Sequence, residues 1–199
     1  MKIRIFLSSF LLLYSAVFIN AQVQSNLTVI HNIIHKSATI ADSIIAHKGT
    51  IYLSVNSPKS LEILKPIIMQ SFADLGYTLK SSSAEADIEL DYVLSSAKVE
   101  YTNAFLEEFF GSTQLERNIS ADCSLLITSK DKTIKSFELN EIKKDTVNLS
   151  DLSEIENQNL PFTKGKVPSQ PFFTGFWEPI IAVSTLILTV ILLFTIRSK

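Results

Sequence analysis

Apolar residues recur at threes and fours between Leu27 and His47, where Ile30, Ile33, Ile34, Ala41, Ile44 and Ile45 share one stripe with Ser37. That spacing predicts a helix burying a single face, with Gly49 as its C-terminal stop. The period then changes to two. In Thr50–Asn56, Ile51, Leu53 and Val55 alternate with polar partners, the mark of a half-buried strand. Ser57 and Pro58 supply an N-cap and a first helical position, and Leu61, Leu64, Ile68, Phe72 and Leu75 form a second helical stripe ending at Gly76. Pro66 removes a backbone donor inside this stripe and predicts a kink or a split at Lys65.

Period two returns after a short extended piece, Tyr77–Lys80, and a serine turn at Ser81–Ser83. Ile88, Leu90, Tyr92 and Leu94 share a face, and then Ala97, Val99 and Tyr101 take over with the phase slipped, which predicts a bulge near Ser95 and Ser96. Ile119, Ala121, Cys123, Leu125 and Ile127 make the clearest alternation in the chain. The polar residues 129–132 predict a hairpin turn into a strand over Thr133–Asn140. The fold class predicted is α+β: a single domain with two helices on one face of a mostly antiparallel sheet, plus a C-terminal transmembrane helix.

That last element rests on residues 179–196, eighteen positions without a charge, flanked by Phe176 and Trp177 on one side and Arg197 and Lys199 on the other. The length suits a bilayer core of about 30 Å, and the hydroxyls of Ser184, Thr185, Thr189 and Thr195 can bond back to carbonyls of their own helix. At the other end Lys2 and Arg4 precede an apolar run, Ile5–Ile19, and then Asn20-Ala21-Gln22, the anatomy of a secretory signal, with an uncleaved anchor as the competing reading. The chain is thus parsed as a signal peptide (1–21), an extracytoplasmic domain (22–156), a proline- and glycine-punctuated linker (157–176), a transmembrane helix (177–196) and a tail (197–199). The placement expected is a single-pass protein of a bacterial inner membrane. Its domain lies in the periplasm and its C-terminus in the cytoplasm, as positive-inside charge requires. The lipid bilayer is then a partner through residues 177–196.

Charge narrows the function classes. Residues 22–176 hold 14 Lys and Arg against 19 Asp and Glu, a net charge of −5 with no basic block, so no nucleic-acid partner is expected. Cys123 is the only cysteine, and the domain is held by packing without an internal disulfide. In phase with the apolar set, Cys123 reads as a small hydrophobe rather than a nucleophile. His31 and His35 stand at i and i+4, but no third ligand completes a metal motif. Asp87, Glu89 and Asp91 alternate with apolar residues and read as a solvated strand face. Five scattered glycines build no phosphate loop. No catalytic, cofactor-binding or metal site is expected.

The run Leu75-Gly76-Tyr77, a short strand, and Ala84-Glu85-Ala86-Asp87-Ile88-Glu89-Leu90 opening a long strand resembles several exported bacterial α+β modules. These are the lipopolysaccharide-assembly, curli-secretion and penicillin-binding-protein-activator lipoproteins and the amino-terminal domain of the Tol-Pal periplasmic protein. The likeness covers about 45 residues, Ile51 to Leu94, and implies a fold and a periplasmic setting more than a task. The chain departs from the lipoproteins in carrying Gln22, not cysteine, after its signal.

One stretch stands out as a candidate docking surface: Ala104-Phe105-Leu106-Glu107-Glu108-Phe109-Phe110, between two long strands. Phe105, Leu106, Phe109 and Phe110 are the candidate partner-binding residues, and Phe105 and Phe109 have the i, i+4 spacing of one helical turn. A loop that folds back to fill the end of the core accounts for the same pattern. The function expected is a non-catalytic, membrane-anchored interaction module serving an unidentified envelope protein in assembly or secretion. The alternative is a domain that binds a small molecule or lipid.

Overall fold

The structure, a computed structural model, describes residues 23–45, 48–106, 111–169 and 177–197. The predicted signal peptide, Phe109 and Phe110 lie outside the described residues. Helix α1 (Asn26–Ile44) starts at Ser25, whose hydroxyl accepts the Thr28 N–H at 3.2 Å. This cap satisfies one of the orphan donors of the first turn. The predicted stripe is the buried face: Val29, Ile30, Ile33, Ile34, Ala38 and Ala41. Strand β1 (Thr50–Asn56) follows. The second helical stripe is split where Pro66 predicted, into a 3-10 turn (Lys59–Leu64) and helix α2 (Lys65–Asp74). Proline thereby sits in the first turn of α2, where no backbone donor is needed. Gly76, at φ +92°, closes α2 in a conformation open to glycine.

The described residues also form β2 (Thr78–Lys80), β3 (Ile88–Leu106), β4 (Thr113–Ser129), β5 (Ile134–Asn148), α3 (Leu152–Ile155) and α4 (Trp177–Arg197). The sheet order is β2-β1-β3-β4-β5. The core lies between this sheet and the α1–α2 layer, with Phe72 edge-on to Tyr92 and to Tyr77. The predicted bulge is present, between Leu94 and Ser96, and a second shift falls between Thr102 and Ala104.

Three expectations are corrected. The sheet is mixed, because β1 pairs parallel with both β2 and β3 while only β3-β4-β5 is antiparallel. Parallel neighbours need a crossover connection rather than a hairpin, and α2 supplies it between β1 and β2. There are also four α-helices among the described residues rather than two plus a transmembrane helix. Finally, α4 forms where expected, and Ser184 and Thr189 donate to the carbonyls of Ile180 and Thr185 at 2.7 and 2.8 Å. Yet among the described residues no helix is long and apolar enough to cross a membrane. The transmembrane assignment of 177–196, and the single-pass inner-membrane placement built on it, are corrected on that finding.

The expected linker also behaves differently over its first half. Pro161–Thr163 form a 3-10 turn, Thr163 is fully buried, and Phe162 packs on the core. The folded unit therefore extends past Glu156, to at least Gly165, whose Cα lies so close to Tyr101 that an added Cβ would stand 2.6 Å from the ring.

Candidate functional site: the open edge of the sheet

Of the stretch singled out from the sequence, the described part, Ala104–Leu106, is the end of strand β3. Phe105 pairs with Gln114 and Leu106 with Thr113 at the far end of the β3–β4 ladder. Phe105 is 40% exposed and Leu106 is half-buried. The i, i+4 relation with Phe109 does not describe Phe105, because successive side chains of a strand point to opposite faces. Asn103, at φ 44°, marks the bulge that bends this end of β3.

The other sequence candidates fall apart spatially. Among the described residues no group of three His, Cys, Asp or Glu side chains could hold a metal ion. Burial lowers the pKa of His31, whose Nε2 has no hydrogen-bond partner. Cys123 is buried beside Tyr92 and Ser37, and desolvation pushes its thiol up, away from the reactive thiolate. Asp87 acts as a staple. It accepts from Lys130 Nζ at 2.5 Å and from Thr50 Oγ1 at 2.7 Å, and these bonds hold its carboxyl well below the usual range.

One group escaped the sequence reading. Arg117 is fully buried on the inner face of β4, in phase with Leu115 and Ile119. Its guanidinium forks onto Asp145 of β5, Nε to Oδ1 at 2.7 Å and Nη2 to Oδ2 at 2.6 Å. Nη1 donates to the Gln24 carbonyl at 2.8 Å and to Asn26 Oδ1 at 2.9 Å. The Asn26 amide in turn donates to Tyr101 Oη at 2.8 Å and to the Thr163 carbonyl at 2.7 Å. Burial above all pushes the Tyr101 hydroxyl up to about 12, so it stays a neutral partner. This network ties the start of α1, three strands and the 157–165 segment together. Its role is structural. The sequence signal was a lone charge in phase with an apolar alternation.

The surface that remains is the free side of β5. This strand has fifteen residues, pairs with β4 throughout without a register shift, and among the described residues has no strand on its other side. The opposite edge, β2, has three. The Ser129 N–H donates to the Thr133 carbonyl across the turn at 3.0 Å. By the alternation of an antiparallel ladder, odd-numbered residues of β5 then bond to β4. The N–H and C=O groups of Ile134, Ser136, Glu138, Asn140, Ile142, Lys144 and Thr146 point to the open side. Ile134 and Ile142 are 64% and 53% exposed. Beside the edge, a groove of about 250 Å³ runs between α1 and β5, lined by Val29, Ile33, Lys36, Glu141, Ile142 and Lys143. Lys36 and Glu141 bridge it at 2.7 Å.

A larger cleft of about 480 Å³ lies at the C-terminal end of α1, with Ile44, Ile45, Ile88 and Ile127 among its walls and Lys48, Lys130 and Lys135 around it. All three amines are engaged: Lys48 by Asp42, Lys130 by Asp87, and Lys135 by the Ile44 carbonyl at 3.1 Å.

No protein-family model and no curated protein matches the chain. Among solved structures it is similar to the rare lipoprotein B from Shewanella oneidensis, at 10% identity over 49% of this chain and 70% of that one, with a TM-score of 0.32. A minor lipoprotein from Acinetobacter baumannii matches at 14% identity over 58% and 75%, TM-score 0.32. Lipoprotein GNA1162 from Neisseria meningitidis matches at 7% over 72% and 99%, TM-score 0.27. These three neighbours are bacterial lipoproteins, and the similarity to them is weak.

Proposed function

We propose that this chain is a non-catalytic interaction module that receives an extended segment along β5, as an accessory to cell-envelope assembly or secretion. The observation that carries the reading is the unpaired, fifteen-residue edge of β5, unbroken by proline or bulge. A row of free backbone donors and acceptors is a template for strand addition. The groove beside it, floored by the buried Val29 and Ile33, gives room for side chains of the incoming strand. The envelope setting is supported by the residues 75–90 that resemble exported bacterial modules. The alternative, binding of a small molecule or lipid, is favoured by the 480 Å³ cleft, but a ligand there would have to displace existing partners of its lysines.

The test uses the full chain in cells, with a photoreactive side chain at Glu138. It should cross-link to a partner, and adding Ile142→Pro should abolish the product. Proline removes an outward N–H and no bond to β4, a position where edge strands tolerate it. Stability should therefore change by no more than about 1 kcal/mol. An undiminished product in a folded Ile142→Pro variant overturns the reading.

A further inference from the structure

We infer that the segment received by β5 is the β5 strand of a second copy of this chain, an inference that rests on the strand-addition reading above. Two copies related by a two-fold axis pair antiparallel, and each register is named by the residue on the axis. Only registers that bring the even-numbered residues into hydrogen-bonded pairs use the free backbone groups of β5.

Charge and apolar complementarity choose among them. With Glu141 on the axis, Glu141 faces the partner's Glu141. With Lys143 there, two lysines meet and Glu141 faces the partner's Asp145. With Asn140 there, Ile142 faces the partner's Glu138 and Phe137 faces the partner's Lys143. With Ile142 on the axis no like charges face each other, and the one mismatch is Leu139 against the partner's Asp145. Ile142 meets the partner's Ile142, Glu141 meets the partner's Lys143 and the reverse, and Phe137 meets the partner's Val147 and the reverse. Opposite charges and apolar pairs directly across a ladder are favourable, and like charges oppose it.

The same residues explain why the edge does not pair indiscriminately. Glu138, Glu141, Lys143 and Lys144 reject the shifted registers, which is specificity by repulsion. The pairing would also lay the grooves beside α1 of the two copies along one joined sheet of ten strands. A size measurement alone does not test this, because α4 exposes apolar side chains from Ile180 to Phe194 that can associate on their own.

The deciding experiment is therefore disulfide trapping in the full chain. Ile142→Cys should give a covalent dimer on mild oxidation, since hydrogen-bonded pairs of an antiparallel ladder have Cα atoms about 5.5 Å apart, within disulfide reach. Wild type should give none, because Cys123 is buried. Asn140→Cys and Lys144→Cys should each fail alone and cross-link when mixed, because these two positions face each other in this register. Lys143→Glu in the Ile142→Cys background should cut the yield about tenfold, and Glu141→Lys added to it should restore the yield. Dimer no greater than in wild type for Ile142→Cys overturns the inference. If the photoreactive chain at Glu138 then still captures a different protein, strand addition survives with another occupant. If it captures nothing, both readings fail.

Discussion

Replacing Arg117 by alanine is expected to cost about 3 kcal/mol of unfolding free energy, the lower end of the loss for a buried ion pair, because Arg117 is buried but Asp145 is one-third exposed. Domains of this kind have about 5–15 kcal/mol in total, so the variant should melt far below wild type. Three consequences add up in one place. The Asp145 carboxylate loses both members of its fork. The Gln24 carbonyl and Asn26 Oδ1 lose their donor at the start of α1. A fully buried side chain leaves a void between β4 and the helix layer. Arg117→Lys should recover only part, because a single ammonium cannot reproduce the planar fork. Arg117→Met combined with Asp145→Leu should recover more than either single change, since removing both charges leaves nothing unpaired. Denaturant midpoints of the five variants, the two single changes included, check this. A loss below about 1 kcal/mol for Arg117→Ala would mean the network is not buried as described.

Ending the chain after Glu156 is expected to cost about 3 kcal/mol relative to ending it after Ser169. The shorter chain lacks the Thr163 carbonyl that accepts from the Asn26 amide, and a buried donor left unsatisfied costs about 1–3 kcal/mol. It also lacks the apolar cover of Phe162, worth about 1–2 kcal/mol for a partly buried ring. Gly165→Leu should reproduce a share of the loss in the full-length chain. Its side chain meets the buried Tyr101 ring, which the Asn26 bond prevents from moving aside, and overpacking costs about 1–3 kcal/mol. Equal thermal stability of the two truncations would return residues 157–169 to the role of a loose tether.

Much of this fold was legible in the chain, and the exceptions have physical causes. The α1 stripe, the split at Pro66 and the bulge after Leu94 each follow from a local rule that tertiary contacts did not override. The parallel pairing of β1 was implicit in the helix that follows it, but period-two alternation carries no information about strand direction. The second half of β5 was not legible. Over Glu141–Asn148 charged residues fall on both faces, because the strand's open side and much of both faces meet water, so no alternation marks it. The residues past Glu156 resembled a linker by their prolines, yet one of those prolines starts the turn that buries Thr163. The open edge, the surface on which the functional reading turns, could not be seen from residue types at all. It exists only once the strand order places β5 last.

Backbone amide exchange along β5 tests that reading most directly, because the alternation of the ladder separates its two sides residue by residue. In the assembled full chain, the amides of Ser136, Glu138, Asn140, Ile142 and Lys144 should exchange slowly, as slowly as those of Phe137, Leu139, Glu141 and Lys143. In the Lys143→Glu variant, with the edge vacated, only the odd-numbered set should remain protected. Even-numbered amides that exchange freely in the assembled protein, at the same rate as in the variant, would contradict the claim that β5 is where this chain receives its partner.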